Sequence, residues 1–169
     1  LYGDFSKYEE IQCNFNLSFY IDKMPHGIVN KQIPGVGATT LEINANRNSI
    51  IVLPTKALAF SKCKKHPNTL YIGSEIKDEK ERTTAQEIIE YLQKEGYKKL
   101  LVVADSLGRL LKLIKEENYK DYFLMIDEID VLQSDSNYRP QLEDVIDYYL
   151  LFPLKNRLSL IHISEPTRL

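Results

Sequence analysis

Lys99-Leu-Leu-Val-Val-Ala104 is an apolar run with one charged residue at its start. Ser49-Ile-Ile-Val-Leu53 and Tyr122-Phe-Leu-Met-Ile126 have the same character. Short runs without polar alternation read as strands buried on both faces. Leu70-Tyr-Ile-Gly73 and Gly27-Ile-Val-Asn-Lys31 read as shorter strands. Between these runs the apolar spacing turns helical. Residues 39–46 form a short helix in this reading, and 55–65 a second. Residues 84–95 put Ile88, Ile89 and Leu92 on one face and stop at Gly96. Ser106 starts a helix through Leu107, Leu110, Leu111 and Ile114, and 142–150 form the last. Strands alternating with amphipathic helices predict an α/β fold, a mostly parallel sheet with helices on both faces. Ligands of such folds bind at the carboxyl ends of the strands.

Composition narrows the function classes. The chain has 169 residues, of which 43% are hydrophobic and 27% charged, with a net charge of −2. That excludes a disordered tail and a histone-like basic binder. No apolar run approaches the roughly 18 residues of a membrane span, so no membrane partner is expected and a cytoplasmic location is. Cys13 and Cys63 form no spaced cluster of the zinc or disulfide kind.

The lead-in, residues 1–25, alternates Phe15, Leu17, Phe19 and Ile21, which predicts an extended segment. Residues 26–157 form the expected lobe. The last stretch, Leu158-Ser-Leu-Ile-His-Ile-Ser-Glu-Pro-Thr-Arg-Leu169, resembles a translated sequencing-adapter read-through and is set aside from fold reasoning. On that reading the authentic segment ends near Arg157 and belongs to a longer protein. The alternative is a real strand over 158–163. Residue 1 is Leu, so the native start is expected upstream.

Two clusters fall at predicted strand ends. Gly35-Val36-Gly37-Ala38-Thr39-Thr40 links a strand to a helix. Glycines let backbone amides approach phosphate oxygens, and a threonine after such a loop ligates Mg²⁺ or caps the helix. Phe123-Leu-Met-Ile-Asp127-Glu128-Ile129-Asp130 closes a strand on carboxylates. There Asp127 suits a metal partner and Glu128 a general base.

Gln32-Ile-Pro-Gly35-Val-Gly37-Ala38-Thr39 and the Asp127-Glu128-Ile129-Asp130 box resemble the first and second motifs of superfamily 2 helicases, which are P-loop ATPases of the DEAD/DEAH-box kind. The resemblance covers roughly residues 27–157. It implies a RecA-like lobe, the cofactors ATP and Mg²⁺, and catalysis by Glu128 with Asp127. It makes Gly35, Val36, Gly37, Ala38, Thr39 and Thr40 the nucleotide cradle, and Thr39 and Asp127 the metal partners. Ala38 departs from the pattern, because a phosphate-binding lysine belongs there. Lys31, Lys56 or Arg47 is the candidate to replace it, and Lys31 at the strand end is the nearest. Pro54-Thr55-Lys56 and Ser106 with Arg109 resemble segments that touch nucleic-acid backbone. The resemblance therefore implies a nucleic-acid partner, DNA in preference to RNA, and a second RecA-like lobe in the same protein. A phage or mobile-element replication protein suits this look. Two alternatives stay open: a non-helicase P-loop motor, and a catalytically degenerate binding module. The run Lys62, Lys64, Lys65, His66 reads as a solvated helix end.

Overall fold

In the computed structural model, residues 16–31, 35–128 and 139–162 are described. Six strands make one all-parallel sheet: β1 (Gly27–Asn30), β2 (Ser49–Leu53), β3 (Leu70–Ile72), β4 (Lys99–Val103), β5 (Phe123–Ile126) and β6 (Arg157–Ile161). Their spatial order is β1-β6-β5-β2-β4-β3. Because every pair is parallel, all the carboxyl ends share one edge of the sheet.

Five helices among the described residues cover the sheet: α1 (Ala38–Asn44), α2 (Lys56–Lys65), α3 (Ala85–Gln93), α4 (Ala104–Ile114) and α5 (Arg139–Leu151). Two apolar cores result, one on each face. Ile50, Val52, Leu100, Val102, Leu124 and Ile126 face α3, α4 and α5 through Ile88, Leu107, Leu110, Leu111 and Val145. The intervening residues Ile51, Leu53, Leu101, Val103 and Met125 face α1 and α2 through Leu41, Ile43 and Ala59. Burial on both faces is why β2, β4 and β5 carry no polar alternation. The expected α/β class is therefore what the fold has.

Local chemistry sets the helix starts. Thr55 caps α2 by accepting the Leu58 N–H at 3.2 Å. Thr84 and Glu87 form a reciprocal capping box at α3. α4 begins at Ala104, ahead of the expected Ser106, because β4 passes into the helix with no breaker between them. Gly108 brings α4 close to α5: a Cβ built there would lie 2.6 Å from the Tyr148 hydroxyl oxygen.

The lead-in departs from its expected extended form. Leu17–Phe19 is a single 3-10 turn, because Asn16 accepts the Ser18 N–H and curls the chain. Leu17, Ile21 and Met24 then pack on the α1–α2 core. Phe15 and the rest of 1–15 lie outside the described residues, as does Cys13.

Residues 158–161 fall within the adapter-like segment, and in the fold they belong to the sheet. Arg157–Ile161 runs between β1 and β5, with Leu158 opposite Gly27 on one side and Met125 on the other. Leu158 and Leu160 are fully buried. The alternation Leu158-Ser159-Leu160 suits a parallel slot with one apolar face beneath it. Residues 163–169 lie outside the described set.

Candidate functional site

β1 and β5 end on the same edge of the sheet, and each delivers one side of the site. The pairing of β5 carries on one residue past the strand, where the Asp127 N–H donates to the Val52 carbonyl at 2.9 Å. The next residue, Glu128, takes φ 53°, a left-handed conformation that turns the chain out of the strand. Asp127 is 5% exposed. On the other side, the Lys31 N–H donates to the Ile161 carbonyl, so β1's pairing also runs through the residue that carries the amine.

The glycine loop enters from below. Gly35 and Gly37 hold φ 79° and 84°, a region in which glycine is at ease and other residues are strained. Gly37 is the N-cap of α1 and needs no side-chain cap, so the capping role considered for Thr39 is already filled. Thr39 instead donates its hydroxyl to Asp127 Oδ2 at 2.7 Å. That bond joins residues 88 positions apart. Gln32, Ile33 and Pro34 lie outside the described residues.

Lys31 completes the cluster. Its Nζ lies 3.0 Å from Asp127 Oδ1 and 3.2 Å from Glu128 Oε1, and its side chain is 9% exposed. Burial works against the charge on Lys31, but the Asp127 and Glu128 carboxylates outweigh it. The amine is therefore held above the ordinary lysine range. Of the three cations considered as a substitute for the absent loop lysine, Lys31 alone meets these carboxylates. Arg47 is tied to Glu42 beyond the far end of α1, and Lys56 donates to the Glu75 carbonyl. Lys62 approaches Thr40 Oγ1 at 3.5 Å, linking α2 to α1.

The donor set suits a small hard cation. Mg²⁺ takes one or two carboxylates with waters and phosphate oxygens filling the rest. Asp127 and Thr39 present hard oxygens at one point, and the Lys31 ammonium stands between the carboxylates as a cation does. No group of three or more His, Cys, Asp or Glu among the described residues forms an all-protein metal cage.

Above the loop, Asn16 covers Gly37 closely: a Cβ built on Gly37 would lie 2.5 Å from Asn16 Oδ1. The Leu17 N–H also donates to the Val36 carbonyl at 3.0 Å. Val36 and Thr40 are half-buried, and Ala38 is buried against the core. No sequence signal marked Asn16 as a partner of the loop.

The residues expected to meet nucleic acid share the carboxyl edge; Thr55 and Lys56 are exposed there, whereas Ser106 and Arg109 turn to the protein. Thr55 follows Pro54 and caps α2. Ser106 is buried and donates to Asp105 Oδ1 at 3.0 Å. Arg109 donates to the Thr83 carbonyl and anchors the chain before α3, while its Nε and one Nη are buried without a hydrogen-bond partner among the described residues. Asp105, Arg109, Lys112, Asp144 and Tyr148 line a cleft of about 360 Å³ that includes none of the carboxylate site.

A second ionic cluster escaped the sequence reading. Glu42 is fully buried on α1. It accepts Arg47 Nε at 2.8 Å, Arg47 Nη at 2.6 Å and the Ser49 hydroxyl at 2.6 Å. Lys99 Nζ donates to the Glu42 carbonyl and to Ser49 Oγ. The Arg47 guanidinium lies 3.4 Å from the Phe123 ring centre. The one available signal was a glutamate flanked by Leu41 and Ile43 on a helix that has to bury them.

No protein-family model and no curated protein matches this chain. No helix among the described residues is long and apolar enough to cross a membrane.

Proposed function

We propose that this chain is the ATP-binding lobe of a helicase-like, nucleic-acid-dependent ATPase. The observation that carries the reading is the Thr39–Asp127 bond, which joins the residue after a glycine loop to the carboxylate at the end of a buried strand. A hydroxyl and a carboxylate so placed would hold Mg²⁺ on the phosphates of ATP. When bound, that ion neutralises charge on the transferred phosphoryl group. Glu128, one residue beyond, then accepts the proton of the attacking water at its carboxylate. The placement of β6 between β1 and β5 supports the reading, because it sets the loop strand and the carboxylate strand apart.

The nucleic-acid part rests on the sequence resemblance and on the shared carboxyl edge of Pro54-Thr55-Lys56 and Ser106. One observation favours the rival binding module: Ala38 brings no charge to the loop.

The full chain tests these readings. Isothermal titration should show ATP binding that Mg²⁺ strengthens. Single-turnover hydrolysis, faster with DNA than with RNA present, should fall about a hundredfold or more in Glu128→Gln while ATP binding persists. No ATP binding by the wild-type chain overturns the proposal. This lobe alone is expected to turn over weakly, since the site closes between two lobes, so binding with no hydrolysis even in the protein carrying the second lobe selects the binding module.

A further inference from the structure

We infer that Lys31 is a two-position cation: it fills the seat of the divalent ion in the nucleotide-free protein and leaves it for a polyphosphate. This rests on the nucleotide reading above and adds an order of binding to it. Asp127 has both oxygens engaged, Oδ1 by Lys31 and Oδ2 by Thr39. Glu128 Oε1 is held by the same ammonium. A free divalent ion therefore finds these carboxylate oxygens already paired with an ammonium. A lysine ammonium and a divalent ion also repel each other, so one seat cannot hold both.

Lys31 can move because its ammonium is a point charge on a flexible four-carbon stem. A polyphosphate on the glycine loop offers it new oxygens. The loop has no lysine of its own, since buried Ala38 occupies that position. When Lys31 turns to the phosphates, the Asp127 and Glu128 oxygens are released together. Polyphosphate and divalent ion then assist each other, while the ion alone is refused. Reciprocity requires Lys31 to carry both effects.

The consequence is a pair of opposite changes at one substitution. Mn²⁺ alone, followed by its EPR signal, and ATP in excess EDTA, followed by calorimetry, are titrated into the full chain. Lys31→Met should bind Mn²⁺ alone about tenfold tighter than wild type and metal-free ATP about tenfold weaker. Adding Ala38→Lys to Lys31→Met should restore ATP affinity from the loop side. Lys31→Gln, a neutral side chain of similar character, should give the same two signs and replaces Lys31→Met if that variant fails to fold. Unchanged or weaker Mn²⁺ binding in these variants overturns the inference, as does unchanged ATP binding. If wild type binds no ATP, the nucleotide reading falls, and the Mn²⁺ titration still reports separately whether Lys31 holds the ion's seat.

Discussion

Glu128 is held at φ 53°, where a residue with a side chain loses about 1–2 kcal/mol relative to ordinary backbone. Strain of that kind persists when its surroundings over-determine it, and here the ion pair to Lys31 does so. Lys99 shows the opposite situation, a cation placed where charge is unwelcome. Burial pulls it down to about 8, Glu42 resists the shift and Arg47 adds to it. A lysine in the unfolded chain titrates near about 10.4. Between these two values the unfolded chain keeps a proton that the folded chain has released. Stability contributed at Lys99 therefore rises with pH across that window. In urea titrations from about pH 7.5 to about pH 10.5, wild type should gain on Lys99→Met by roughly 1–3 kcal/mol. A difference that is flat or falls with pH contradicts the buried-cation picture.

α1 is short for a helix that has to position the Thr39 hydroxyl against Asp127. Seven residues supply little helical stability of their own, so its position depends on its ends. Thr39 is bonded to Asp127 near the start, and Glu42 to Arg47 and Ser49 toward the finish. Removing one partner of a buried pair strands the other, at a cost of about 3–5 kcal/mol. Arg47→Met should therefore destabilise the chain by about 3 kcal/mol in denaturant titration. Glu42→Leu combined with Arg47→Met should recover most of that loss. If both variants melt like wild type, the pair does not anchor α1. This element also shows what sequence alone reveals. Thr39 and Asp127 were legible because their chemistry is local to a loop and a strand end. The Glu42–Arg47–Ser49–Lys99 cluster was not, since it converges from α1, β2, β4 and the chain between. The Arg109 anchor on Thr83 was hidden for the same reason: a backbone carbonyl leaves no trace in a pattern of side chains.

The molecule as a whole depends on which strand lies beside which. β2, β4 and β5 were legible because both faces of each are buried, and only continuous apolar runs satisfy that. β6 was obscured because its residues also spell adapter-like text, whereas the fold asks only for alternation and pairing. Among the described residues, β1 has β6 as its sole partner in the sheet. A chain ending at Arg157 should lose hydrogen-exchange protection at Val29 and Lys31 while the β2 and β4 amides stay protected. The set Leu158→Val, Ser159→Thr, Leu160→Val and Ile161→Val should keep β1 protected, because the slot reads shape and alternation. Equal β1 protection with and without β6 would refute this dependence.

The strand between β1 and β5 also acts as a gauge. Two inter-strand spacings, roughly 9.6 Å, separate the backbones that carry Lys31 and Asp127. A long stem from one side and a short carboxylate from the other span that gap and meet through a hydrogen bond of 3.0 Å. Position 31 thus carries a requirement for length that is separate from its requirement for charge. Any side chain that serves there has to reach across a whole strand before its chemistry matters.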